Sequence, residues 1–184
     1  LLEKIKELGS DRLKELEILI SMKRPGDALA FAELLLKKNP RDRATLSLLL
    51  RLRGRGVESA QVLAVLQSLD KVGNTSTELQ AALVDLHVES GSYAQALLVC
   101  GRMLDRIKNN GMKAYVHFQK GRIFFKQEQF DKAVESLELA INLKPKYSAA
   151  LNLLAYIYAL QNKQLAQAHA WINEALSQQP ADSA

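Results

Sequence analysis

Apolar residues recur along this chain at three- and four-residue intervals, the spacing of one helical face, with short polar turns between the runs. Ala114 to Lys126 reads as a helix, Gln127-Glu128-Gln129 as a turn, and Phe130 onward as a second helix that stops at Pro145. Ser148 to Asp182 repeats the scheme, with Asn162-Lys163-Gln164 in the turn and Pro180 at the stop. At 100° per residue, His117, Lys120, Gly121 and Phe124 share one face of the first helix. In the next, Leu151, Leu154, Ala155 and Tyr158 do the same.

The scheme has a period. Pro145 to Pro180 is 35 residues, as is Ala133 to Ala168. Ala28, Val62 and Ala96 fall 34 apart, as do Pro40, Asn74 and Lys108. Ala96 precedes Ala133 by 37, which places a three-residue insertion near Asn110-Gly111-Met112. One array over 1–184 follows, with repeats at about 9–42, 43–76, 77–110, 114–147 and 148–182. Leu1, Ile5 and Leu8 have helical spacing, so 1–8 reads as the tail of a preceding helix. Both ends read as cut from a larger protein, since the chain begins Leu1-Leu2 and stops at Ser183-Ala184 with no polar capping helix.

The residues at fixed places in the repeat are specific. In the fourth repeat Gly121 stands eighth, Phe124 eleventh, Phe130 seventeenth, Ala133 twentieth, Ala140 twenty-seventh and Pro145 thirty-second. The fifth matches with Ala155, Tyr158, Ala168, Ala175 and Pro180, the third with Gly91, Tyr93 and Ala96, and the first with Ala28 and Pro40. The second is degenerate: Arg53 occupies the aromatic position and Asn74 that of proline. This 34-residue helix–turn–helix pattern resembles the tetratricopeptide repeat. The resemblance implies an all-α fold, a right-handed superhelical solenoid of tandem helix–turn–helix repeats in which the first helix of each pair lines the concave side. It implies a non-enzymatic protein–protein interaction scaffold that binds a peptide or partner helix in that groove. Stability in such an array is a sum over neighbouring repeats.

The groove-facing residues of each first helix are the second, fifth, ninth and twelfth, about 130° from the packing face. In the fourth repeat these are Tyr115, Phe118, Arg122 and Phe125, more aromatic surface than solvation requires. Asn152 and Tyr156 hold the matching places in the fifth repeat, Arg51 in the second and Asp85 in the third. These eight form the candidate peptide-binding set; Ser10, Leu13, Glu17 and Ile20 are the groove-facing residues of the first repeat. A strip with hydrophobic anchors, a cation and an amide suits a segment bearing an apolar residue near an acid. Repeats that hold the acidic C-terminus of heat-shock chaperones carry Lys fifth and Asn ninth, and no repeat here has that pair.

Composition narrows the reading. The chain has 184 residues, 48% hydrophobic and 24% charged, with only 4 Pro and 9 Gly, which excludes a disordered tail. The longest apolar run, Leu153 to Leu160, is too short to span a bilayer. One Cys excludes a disulfide framework. Net charge is +5, and Arg41, Arg43, Arg51, Arg53 and Arg55 crowd residues 41–55 with Asp42 the sole acid. An acidic partner fits that cluster better than nucleic acid, because no aromatic interleaves the arginines to stack on bases. His87, His117 and His169 lie in three different repeats and read as packed or surface residues, Cys100 as a buried small hydrophobe. Arg53-Gly54-Arg55-Gly56 lacks the Gly-Lys-Ser/Thr ending of a phosphate loop. No metal, cofactor or catalytic set is expected. Two alternatives stand beside the scaffold reading. One is self-assembly through the convex face or through exposed ends, where Leu165, Trp171, Ile172 and Leu176 would give the last helix pair an apolar end face, and the other is a substrate-recruiting arm of a larger enzyme. The cytoplasm is favoured over a bacterial envelope, which a loose similarity of the fifth repeat to envelope-associated proteins would suggest.

Overall fold

The computed structural model describes residues 12–71, 76–163 and 165–177. Leu1, Ile5, Leu8, Ser10, Asn74, Gln164, Pro180, Ser183 and Ala184 lie outside them, as do the side chains of Leu13, Ala168, Ala175 and Leu176. Among the described residues there are ten helices and no strand. They are α1 (Arg12–Ser21), α2 (Pro25–Lys38), α3 (Arg43–Arg51), α4 (Ser59–Lys71) and α5 (Thr77–Glu89), then α6 (Tyr93–Arg106), α7 (Asn110–Lys126), α8 (Phe130–Leu143), α9 (Ser148–Leu160) and α10 (Leu165–Ser177). The chain divides into two compact units, Leu1–Ser90 with α1–α5 and Gly91–Ala184 with α6–α10.

Local chemistry sets the helix starts. Asp42 Oδ1 accepts the N–H groups of Ala44 and Thr45 at 3.1 and 3.3 Å, satisfying two donors at the head of α3. Its Oδ2 accepts the Thr45 hydroxyl at 2.7 Å. Ser76 caps α5 through Leu79 N–H, and Asn109 caps α7 through Met112 N–H. The Asn109 cap determines where the insertion goes. Asn110-Gly111-Met112 forms no loop but adds a turn to α7, which reaches 17 residues.

The turns inside the pairs share a backbone device that composition conceals. Lys23, Gly91, Glu128 and Asn162 all have positive φ, between 52° and 73°. Around three of them the N–H three residues past the helix end bonds back five residues. Arg24 reaches Leu19 O at 3.1 Å, Gln129 reaches Phe124 O at 2.9 Å and Lys163 reaches Tyr158 O at 2.9 Å. This is the Schellman arrangement, which satisfies the last carbonyls of one helix while reversing the chain into the next. Lys23, Glu128 and Asn162 hold this conformation with a Cβ, at a steric cost that glycine would not bear.

Small residues then let the paired helices close. Gly121 is buried where α7 meets α8, and a Cβ there would lie 2.7 Å from Leu137 Cγ and 3.4 Å from Ala133 O. Ala133, Leu137 and Ala140 of α8 and Leu154, Ala155, Ile157 and Tyr158 of α9 form one buried cluster. Each fully buried leucine in it contributes about 2 kcal/mol by leaving water. Trp171 of α10 stacks on Tyr158 with ring centroids 5.5 Å apart. In the N-terminal unit, Leu16, Ala28, Ala32, Leu36, Leu49, Val62, Leu66, Leu79 and Leu83 are buried in the same manner.

The departure from pattern is at α3, which ends at Arg51 after nine residues. Arg53 does not take an aromatic's place in a core. It lies past the helix end, half-buried, with Nη1 donating to Glu89 at 2.6 Å. Gly54 and Gly56 follow at φ 74° and 91°, and a Cβ on Gly56 would press on Pro25 at 2.8 Å.

Two outcomes are expected. Glu128→Gly removes the cost of the left-handed turn and should raise the unfolding free energy by about 1 kcal/mol, read as an upward shift of the urea midpoint. Amides of residues 43–60 should exchange faster than those of 114–143, because the short α3 has less helix to protect them. Uniform protection across both segments would reject this second expectation.

Candidate peptide-binding site

In the C-terminal unit, α7 and α9 enclose a cleft of about 420 Å³ lined by Phe118, Arg122, Phe125, Lys126, Ala149, Asn152 and Leu153. The α7 residues fall at three- and four-residue steps, so one helical face carries all four. Four of the eight sequence candidates therefore meet in this cleft. Tyr156 stands beside it, its ring edge-on to Phe125 with centroids 5.7 Å apart, and is 53% exposed. Tyr115 contributes through a relay. Gln119 Nε2 donates to Tyr115 Oη at 2.7 Å, and Gln119 Oε1 accepts from Arg122 Nη1 at 2.6 Å. The guanidinium also lies 5.8 Å from the Phe118 ring centroid. The cation is thus oriented by a buried amide and an aromatic face.

Two aromatics are less available than the helical arithmetic alone suggests. Phe118 is half-buried against Tyr147 at 5.1 Å between centroids, and Phe125 against Phe130 at 6.0 Å. Both pack on the buried cluster of α8 and α9, so each is at once core and cleft wall. Sequence reasoning missed Lys126, Leu153, Gln119 and Tyr147. Lys126 was legible, since it sits one turn beyond Arg122 on the same face. Gln119 was not, because a glutamine in a helix carries no sign that it will be buried.

Arg51 and Asp85 belong to the N-terminal unit. There, a second cleft of about 520 Å³ is lined by Arg43, Leu46, Ser47, Leu50, Arg51, Arg53 and Glu78. Arg43 pairs with Glu78 and Arg53 with Glu89. The Glu78 carboxyl is held below its ordinary range by a backbone N–H of its own residue first, with Arg43 adding to the effect against partial burial. Asp85 is half-buried on α5 and does not line the cleft.

Residues 121–162, from the middle of α7 through the end of α9, match the family model described as the TPR, or tetratricopeptide, repeat. That segment carries a tetratricopeptide repeat. Among solved structures it is similar to MamA from Desulfovibrio magneticus, 14% identical with a TM-score of 0.66 over 93% of this chain and 99% of that one. It is similar to YrrB, a tetratricopeptide-repeat protein with an unusual peptide-binding site, 17% identical with a TM-score of 0.61 over 98% and 93%. A thermophilic tetratricopeptide-repeat protein of Thermus thermophilus is 26% identical with a TM-score of 0.61 over 93% and 91%. No curated protein matches the sequence.

Cys100 is buried. Among the described residues no three His, Cys, Asp or Glu gather to hold a metal ion, and no helix is long and apolar enough to cross a membrane. On the expected apolar end face, Leu165 and Ile172 are exposed, but Trp171 is committed to Tyr158.

His87 and His117 have no hydrogen-bond partner at Nδ1, and burial holds both below the ordinary histidine value of about 6.5. Lys120 and Lys113 depress His117 further. The unfolded chain therefore binds these protons at a higher pH than the folded one. Their contribution to stability is complete above about pH 6.5 and is lost as pH falls from there toward the depressed folded values. Urea unfolding across pH 5 to 8 should show stability rising with pH, and His87→Gln should flatten the slope. An unchanged slope in that variant would assign the dependence to other groups.

Proposed function

We propose that this chain is a non-enzymatic interaction scaffold that captures a peptide or partner helix in the cleft between α7 and α9. The observation carrying the reading is the convergence of Phe118, Phe125 and Leu153 with Arg122, Lys126 and Asn152 in one concave site. An apolar wall with a few directed polar groups is the composition of a recognition site. The ligand it suits bears an apolar anchor for the phenylalanines and a carboxylate for Arg122 or Lys126. The similar fold of YrrB, which has a peptide-binding site, supports a peptide as the ligand class. Division into five repeats belongs to the same reading and is supported by positive-φ turn residues at Glu128 and Asn162, 34 residues apart.

Selection of a phage-displayed random peptide library against the chain tests this. Selected peptides should combine an aromatic or aliphatic residue with a nearby acid. Tyr156→Ala should weaken their binding by about 2 kcal/mol, roughly thirtyfold, with little change in melting temperature because the side chain is half in water. Phe118→Ala should cost both binding and stability, since its ring also packs on Tyr147. Peptides that survive Tyr156→Ala and Phe125→Ala but are lost on Arg51→Ala would move the site to the N-terminal unit and overturn the assignment.

A further inference from the structure

We propose that the cleft between α3 and α5 is a second, chemically distinct docking site, taking a partner segment in which acidic side chains flank an aliphatic one. The reading goes beyond the aromatic cleft and does not depend on it. Three guanidinium groups, of Arg43, Arg51 and Arg53, line this cleft with a single carboxylate, Glu78, over a floor of Leu46 and Leu50. Like charges sharing one concavity repel, and an incoming carboxylate relieves that repulsion while gaining charge-assisted hydrogen bonds.

The two ion pairs present the arginines without exhausting them. Arg43 is tied to Glu78 at the head of α5, and Arg53 Nη1 to Glu89 at its end, 2.6 Å away. Each guanidinium has five N–H donors in a fixed fork, so a pair that uses one or two leaves others for a ligand. Both anchoring acids stand on one helix, α5, which sets the two forks at its two ends. Arg51, exposed on the last turn of α3, lies between them in sequence and completes the set. This pre-orientation lowers the ordering cost of binding. Leu46 and Leu50 lie one helical turn apart on the floor and accept the aliphatic side chain. The lining has no aromatic residue, so a base would find nothing to stack on, and the chemistry favours an acidic peptide over nucleic acid.

The test uses the whole chain and a short labelled peptide of alternating glutamate and leucine, read by fluorescence anisotropy. Binding should be seen with this peptide and not with its lysine-for-glutamate counterpart. It should weaken steeply as salt rises, because exposed charges are screened over about 10 Å at 0.1 M. Arg51→Glu should weaken it by about tenfold or more, and Arg55→Glu, the same charge change outside the lining, by much less. Circular dichroism on both variants confirms that the helices persist, and Arg51→Ala provides a milder reading in the same direction. Equal losses for Arg51→Glu and Arg55→Glu would make the attraction a diffuse surface field and overturn the site. Competition by an oligothymidylate of equal charge, at equal concentration, would overturn the peptide in favour of nucleic acid. Loss of the acidic peptide on Tyr156→Ala would place its binding in the aromatic cleft and overturn this proposal while leaving that one standing.

Discussion

Three helix pairs, α1/α2, α7/α8 and α9/α10, reverse direction within three or four residues, and the reversal turns on one backbone position held at positive φ. Lys23, Glu128 and Asn162 occupy it. Only there can the carbonyls at the end of the first helix be satisfied while the chain swings back antiparallel. Once reversed, the second helix lies so near the first that the contact admits little more than hydrogen or methyl, as at Gly121 and Ala133. Everything else is arranged around that close contact. Larger side chains are pushed to the flanks, where they meet the next helix or remain open, and the cleft of the C-terminal unit is built from those that remain.

The two clefts show how one scaffold carries unlike chemistry. Both are formed by helices that begin a pair, α7 with α9 and α3 with α5. In one the exposed face offers phenylalanine, tyrosine and a single relay-held arginine. In the other the corresponding faces offer arginines fixed by acids on α5. The backbone supplies the concavity and the side chains decide what enters, so fold similarity at 14–26% identity carries the first property and not the second.

Much of the fold was legible because its punctuation is covalent and local. Pro25 starts a helix and Gly91 permits a left-handed turn, while the apolar spacing in Leu151, Leu154, Ala155 and Tyr158 marks a packing face with no knowledge of its neighbour. Two local conformations were not legible, for a common reason. The spacing placed an insertion near Asn110-Gly111-Met112 without its conformation; the Asn109 side chain captures Met112 N–H and draws it into α7. Arg53 looked like a polar intruder in a core position, but α3 stops before it and Glu89 holds it at the rim.

The candidate site divides along the same line. From the sequence alone came the helical period, the pairing of helices and the set of side chains turned away from each helix's own partner. These follow from a rotation of 100° per residue, which any sequence displays. Only the tertiary structure decided that Phe118 and Phe125 are half-claimed by Tyr147 and Phe130, that Gln119 orients Arg122, and that Arg51 and Asp85 fall in a different unit from the aromatic cleft. A helical wheel gives the direction in which a side chain leaves its own axis. What lies in that direction is fixed by the packing of residues far away in the chain, and that is information no local pattern contains.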